Sequence, residues 1–147
     1  MSSRADRLQP VVDIAGERAE AATRDLAEHQ RHLAGAEGQL DELRRYREDY
    51  GSVPDGVGVA ALLNRQQFLH RIDQAIVQQL NEVDRRKTNL ALAQKRWTDA
   101  RSRAKALESV TTRYREVERK TEDRREQEQA DERSQYRRPT RTSEPKP

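Results

Sequence analysis

A step of four and three residues runs through the first third of the chain. Leu8, Val12, Ala15, Ala19, Ala22, Leu26, His29, Leu33, Ala36, Leu40, Leu43, Arg47 and Tyr50 follow it without a gap, and all but His29 and Arg47 are apolar or aromatic. One seam residue per 3.5 positions keeps a narrow stripe facing a partner helix in a left-handed supercoil. The spacing predicts a first coiled-coil helix over 10–50, preceded by an N-terminal arm over 1–9. Pro10 sets that start, because proline is comfortable at the first helical position and disfavours helix in the residue before it. Forty-one residues at ~1.5 Å each give a helix of about 60 Å.

Residues 51–58, Gly-Ser-Val-Pro-Asp-Gly-Val-Gly, break the pattern. Three glycines, a proline and an aspartate in so short a segment predict a turn that sends the chain back along its first helix. A second seam follows, with the same steps: Leu69, Ile72, Ile76, Gln79, Val83, Arg86, Leu90, Ala93, Trp97, Ala100, Ala104, Leu107, Thr111 and Tyr114. It predicts a second coiled-coil helix over 59–117. Beyond that, 118–147 contains only Ala130 and Tyr136 as apolar residues and ends in Pro139, Pro145 and Pro147. This charged segment is expected to fray and then become a disordered tail, with about the last fifteen residues unstructured. The fold expected is all-α: an antiparallel two-helix coiled-coil hairpin with unequal helices and a disordered C-terminal tail.

A turn centred on 51–58 would set Pro10 beside about Ala100. The second helix would then overhang, with Leu107, Val110, Tyr114 and Val117 as an unpartnered apolar stripe. Such a stripe waits for a partner or packs on a second copy of itself.

Composition agrees with a rod. Charged residues are 37% of the 147 and hydrophobic ones 33%, too few apolar groups for a globular core of this length but enough for a two-position-in-seven seam. Residues 1–50 carry 8 basic and 11 acidic side chains, 51–117 carry 12 and 7, and 118–147 carry 9 and 8. The opposed signs of the first two segments either favour pairing them or are chance on two solvated faces. There is no cysteine, which excludes thiolate chemistry and disulfides. No apolar region of a secretory signal follows Met1, and no run of apolar residues is long enough to span a membrane.

Candidate chemistry is sparse. Gly51-x-x-x-x-Gly56 has phosphate-loop spacing, but Val57 stands where lysine is needed and no strand precedes it. His29-x-x-His32 lacks a third metal ligand, and His29 lies on the seam. The basic clusters Arg85-Arg86-Lys87, Lys95-Arg96, Arg101–Lys105 and Arg137-Arg138 are interleaved with acids and have no aromatic stacking platforms, so nucleic-acid binding is not expected. No enzyme, cofactor or metal is expected, and a two-helix rod offers no enclosed pocket.

A further stripe stands out near the turn. Gln39, Leu43, Tyr46 and Tyr50 on the first helix, and Phe68, Ile72, Ala75 and Gln79 on the second, share one rhythm and come to similar height in a hairpin. Three of the six aromatic residues (Tyr46, Tyr50 and Phe68) gather there. They are either a binding hot spot or a widened seam capping the tip. Trp97, on the seam, reads as core.

The run Arg7–Ala15 (Arg-Leu-Gln-Pro-Val-Val-Asp-Ile-Ala), the Leu- and Tyr-spaced run Ala36–Tyr50, the run Gln66–Gln79 and Trp97 followed by Lys105-Ala-Leu-Glu108 together resemble the flagellar export protein FliJ family, over about residues 4–117. The resemblance implies a small cytoplasmic antiparallel coiled coil of the flagellar type III export apparatus, similar to the central stalk of rotary ATP synthases. It would be peripherally associated with the inner membrane through that apparatus, with no direct membrane insertion. The partners implied are the export ATPase hexamer, the cytoplasmic domain of the export gate protein, and export chaperones. The implied gate surface maps onto Gln39, Leu43, Tyr46, Tyr50, Phe68, Ile72, Ala75 and Gln79. The ATPase-facing end would include Leu107, Val110, Tyr114 and Val117. A generic structural coiled coil or dimerisation module, and a nucleic-acid-associated coil, stand as the alternatives.

Overall fold

A computed structural model describes residues 3–52 and 56–136. It contains two helices, α1 (Arg4–Gly51) and α2 (Val59–Tyr136), packed antiparallel, with no strand among the described residues. The contacts divide into a hairpin unit, Ala15–Arg103, and a terminal unit, Met1–Ile14 with Ala104–Pro147.

In the hairpin unit the heptad reading holds. Ala36, Leu40 and Val83 form the buried centre, with Leu33 and Ile76 packed against it. Ala15, Ile72 and Ala93 are buried along the same seam. Every α2 seam residue from Leu69 to Ala100 is buried or half-buried, whereas Arg47 and Tyr50 on α1 are exposed. Small residues at Ala15, Ala36 and Ala93 let the helices approach closely, and the larger Leu40, Ile72 and Val83 fill the remaining space.

The turn is tied by one side chain that the periodicity does not reveal. The Arg65 guanidinium donates to the carbonyl of Tyr50 at 2.6 Å and to that of Ser52. These carbonyls lie in the last turn of α1 and just past its end, where they have no partner inside the helix, and a cation there also meets the negative end of the helix dipole. Gly56 lies in the left-handed region at φ 86°, which suits a residue without Cβ.

In the terminal unit α1 begins at Arg4, not at Gln9–Pro10. Pro10 therefore sits inside the helix, where it removes one backbone hydrogen bond. The turns before it are held by other contacts. The Ser3 hydroxyl accepts from the Asp6 amide at 3.1 Å, and the Ser3 carbonyl accepts from the Arg7 amide at 3.0 Å. The Ala5 amide donates to Glu118 Oε1 at 3.4 Å, and Ala5 itself is buried. A capping hydroxyl and a carboxylate at a helix N-terminus supply what the proline takes away.

The expected overhang from about Ala100 is corrected here. Arg115 donates to Gln9 Oε1 at 2.7 Å, and Arg4 lies over the Tyr114 ring at 5.8 Å. The start of α1 thus pairs with Thr111–Glu118. The expectation centred the hairpin on the glycine-rich turn itself. In the hairpin unit, however, Arg65, the seventh residue of α2, is the one level with the last residues of α1. The opening turns of α2 are spent before pairing begins, and the register shifts accordingly.

The second helix also passes its expected end at Val117 and continues to Tyr136. From 118 to 136 there is no glycine or proline, and the residues are mostly Glu, Arg and Gln, which lose little freedom in a helix. The expected disorder of the last residues falls, from 137 on, outside the described residues.

Candidate functional site

The sequence-derived stripe near the turn lies wholly in the hairpin unit. Tyr46 is 55% exposed, Tyr50 45% and Phe68 41%. The Tyr50 and Phe68 rings meet edge to face with centroids 4.8 Å apart, one ring from each helix. The Gln79 amide donates to the Ala36 carbonyl at 2.9 Å and to Gln39 Oε1 at 3.2 Å, which fixes both amides beside the helix pairing. Leu43 and Ala75 are half-buried. Ile72 is buried and belongs to the core, so it supports the stripe from beneath.

Two features of this surface were not legible from periodicity. Arg47, on the expected seam, is exposed and pairs with Asp73 across the helices. The hydrogen bond to Asp73, with its charge, raises the Arg47 guanidinium above its usual value. Arg65 clamps the turn as described. A seam position occupied by arginine was the available signal for the first of these. Nothing in the spacing signals the second.

Farther along the same unit, Trp97 is half-buried. Its Nε1 donates to Thr23 Oγ1 at 3.0 Å, and Arg101 lies over its ring at 5.2 Å. Arg96 bonds Asp25 at 3.0 Å. Arg96–Asp25 runs with the charge asymmetry of the two helices and Arg47–Asp73 runs against it, so that asymmetry does not set the pairing. His29 is half-buried, with Nε2 3.4 Å from Asp25 Oδ1 and a buried Nδ1 that lacks a partner among the described residues. The His32 ring stands perpendicular to it at 5.9 Å. Among the described residues no group of three His, Cys, Asp or Glu side chains could hold a metal ion.

In the terminal unit the four residues of the second expected surface divide. Leu107 and Tyr114 are half-buried on the seam, whereas Val110 is 37% exposed and Val117 62%. Thr111, between them, is buried, and its hydroxyl donates to the Leu107 carbonyl at 2.8 Å. Where α2 runs past Ser3, an open groove is lined by Val117, Thr121 and Arg125 together with Glu118, Glu122 and Glu126. No helix among the described residues is long and apolar enough to cross a membrane.

The family model described as "Flagellar FliJ protein" matches residues 3–141. The flagellar FliJ protein of Salmonella typhi is 28% identical over 130 residues, an alignment covering 85% of this chain and 88% of that protein. The chain therefore belongs to the FliJ family of flagellar proteins.

Proposed function

We propose that the chain is a non-enzymatic component of the flagellar type III export apparatus. In this reading it works on the cytoplasmic side, binding the export ATPase ring as a central stalk does and contacting the export gate protein and export chaperones. Family membership supports the flagellar setting. The observation that carries the contact role is the exposed, edge-to-face aromatic cluster of Tyr50 and Phe68 beside Tyr46, on a surface otherwise dominated by charge. Exposed aromatic anchors flanked by fixed amides are what a protein-binding hot spot is made of.

The gate surface of this reading is Gln39, Leu43, Tyr46, Tyr50, Phe68, Ala75 and Gln79, seated on Ile72. The ATPase surface is Val110 and Val117, seated on Leu107 and Tyr114. Each stripe has a partner, and neither needs a reaction centre.

The test uses the full chain with the cognate ATPase and the cytoplasmic domain of the cognate gate protein. Tyr46→Ala with Phe68→Ala should weaken gate binding more than ten-fold while far-UV circular dichroism is unchanged, since truncated hot-spot aromatics cost about 2 kcal/mol or more. Val110→Glu with Val117→Glu should abolish stimulation of ATP hydrolysis and leave gate binding intact. If wild-type protein changes neither the hydrolysis nor the hexamer assembly of the ATPase, the stalk role is wrong.

A further inference from the structure

A second four-and-three seam runs along the outside of α2 in the hairpin unit. Val59, Leu63, Val77 and Leu80 are its apolar members, exposed by 74, 55, 58 and 39%. Gln66, His70 and Asp73 complete the steps between them, and Asp84 and Lys87 end it. At 3.5 residues per turn this stripe lies about 100° around α2 from the buried seam, on the flank away from Phe68 and Ala75. It is therefore neither core nor part of the aromatic surface.

Two properties say what covers it. The first is neutrality. In a chain that is 37% charged, the stripe from Val59 to Leu80 holds one charged residue, Asp73, already paired with Arg47, and the charges at Asp84 and Lys87 lie beyond its apolar part. The row bordering it on the solvent side is Gln67, Gln74 and Asn81, all exposed and uncharged. An interface that meets its own copy cannot use charge of one sign, because each such group would approach its like across the two-fold axis. Depletion of charge is also what marks the centre of an interface. The second is symmetry. Read backwards about His70, the stripe matches itself: Val59 falls opposite Leu80, Leu63 opposite Val77, and Gln66 opposite Asp73, an amide donor facing a carboxylate. The mismatch in height is at most one residue, about 1.5 Å.

We infer that this flank of α2 is a self-association surface, on which a second copy of the chain packs antiparallel about a two-fold axis at His70. Four apolar side chains per copy make a reversible dimer. The aromatic cluster lies on the opposite flank and stays uncovered, so the inference stands or falls independently of the proposed gate contact.

The experiment uses the full chain, which has no cysteine of its own. Light scattering from low-micromolar to sub-millimolar concentration should show the mass rising from 17.1 kDa toward twice that value. His70→Cys places a thiol on the axis, next to its own mate. Asp84→Cys, on the same stripe, places the two thiols tens of ångströms apart. A short bis-maleimide should link the His70→Cys protein about ten-fold faster than the Asp84→Cys protein, through the raised local concentration. Val77→Glu, at an exposed position, should hold the mass at the monomer value with helicity unchanged. A constant 17.1 kDa at every concentration, equal linking of the two cysteine variants, or a dimer indifferent to Val77→Glu would each overturn the inference.

Discussion

The hairpin unit and the terminal unit are built by the same two helices on the same period, yet they are held by different means. In the hairpin unit the seam is filled by Leu33, Leu40, Ile76 and Val83 around Ala36. In the terminal unit the most buried residues are Ala5 and Thr111, and the cross-helix contacts are polar: Gln9 with Arg115, the Ala5 amide with Glu118, Arg4 over Tyr114. Apolar burial contributes about 25 cal/mol per Å² and is not screened by salt. Exposed polar contacts contribute a few tenths to one kcal/mol each and are screened by salt. The same heptad period therefore produces a firm segment where Leu40, Ile72 and Val83 are buried, and a loosely held one where Leu8, Val12, Leu107 and Tyr114 are only half-buried beside Ala5 and Thr111. The loosely held one also carries a proline inside its helix.

The largest effect that would break this comparison comes from the hairpin unit. Leu40 is buried with Ala36 and Val83. Leu40→Ala should destabilise the protein by about 2–3 kcal/mol, the lower part of the range for buried leucine because a two-helix seam is thin enough to relax. The midpoint of a urea melt followed by circular dichroism measures it. A loss well under 1 kcal/mol would mean that the aliphatic seam is not what holds the hairpin.

A smaller and opposite effect is expected in the terminal unit. Thr111 is buried on the seam with its hydroxyl turned back to the Leu107 carbonyl. Thr111→Val replaces that hydroxyl with a methyl group, which removes the back-bond within α2 and adds buried apolar area on the seam, and should stabilise the local pairing by about 0.5–1 kcal/mol. The readout is hydrogen exchange of the amides from Leu8 to Asp13, which should slow several-fold while those around Leu40 do not change. Equal slowing in both units would show that they open together and that the distinction between them is false.

Much of this was legible in the sequence, for a definable reason. The 3.5-residue period depends only on which positions are apolar, so it revealed both helices and almost every seam residue. It even put His29 and Thr111 on the seam despite their polarity. Register is a different quantity. It depends on how many residues the chain spends in turning, and Arg65 binding the carbonyls of Tyr50 and Ser52 set that number. No period encodes such a contact. In the terminal unit Leu107 and Tyr114, expected as an unpartnered stripe, are half-buried, with Arg4 over the Tyr114 ring, while Val110 and Val117 remain exposed. The start of α1 was misplaced for a related reason. Pro10 is a strong local signal, and it was outweighed by the local Ser3–Asp6 cap together with Glu118, whose contact with the Ala5 amide appears only once the helices are paired.

The smallest expected effect tests whether charge contributes to the firm unit at all. Arg47 and Asp73 form its most evident cross-helix ion pair, and both side chains are about half exposed. The Arg47 guanidinium is raised above its usual value by the hydrogen bond and charge of Asp73. A raised cation stabilises the fold below its unfolded value and loses that contribution only as pH climbs through the folded one. For arginine that window lies far into the alkaline range, so the pair does not titrate through Arg47 near neutrality. Asp73→Asn should therefore leave the urea midpoint unchanged within error at moderate salt, and any difference seen at low salt should vanish as salt is added. A clear loss that persists at high salt would mean that the pair is desolvated in solution. The hairpin unit would then depend on polar contacts, as the terminal unit does, and the contrast between the two would reduce to the number of apolar residues in each.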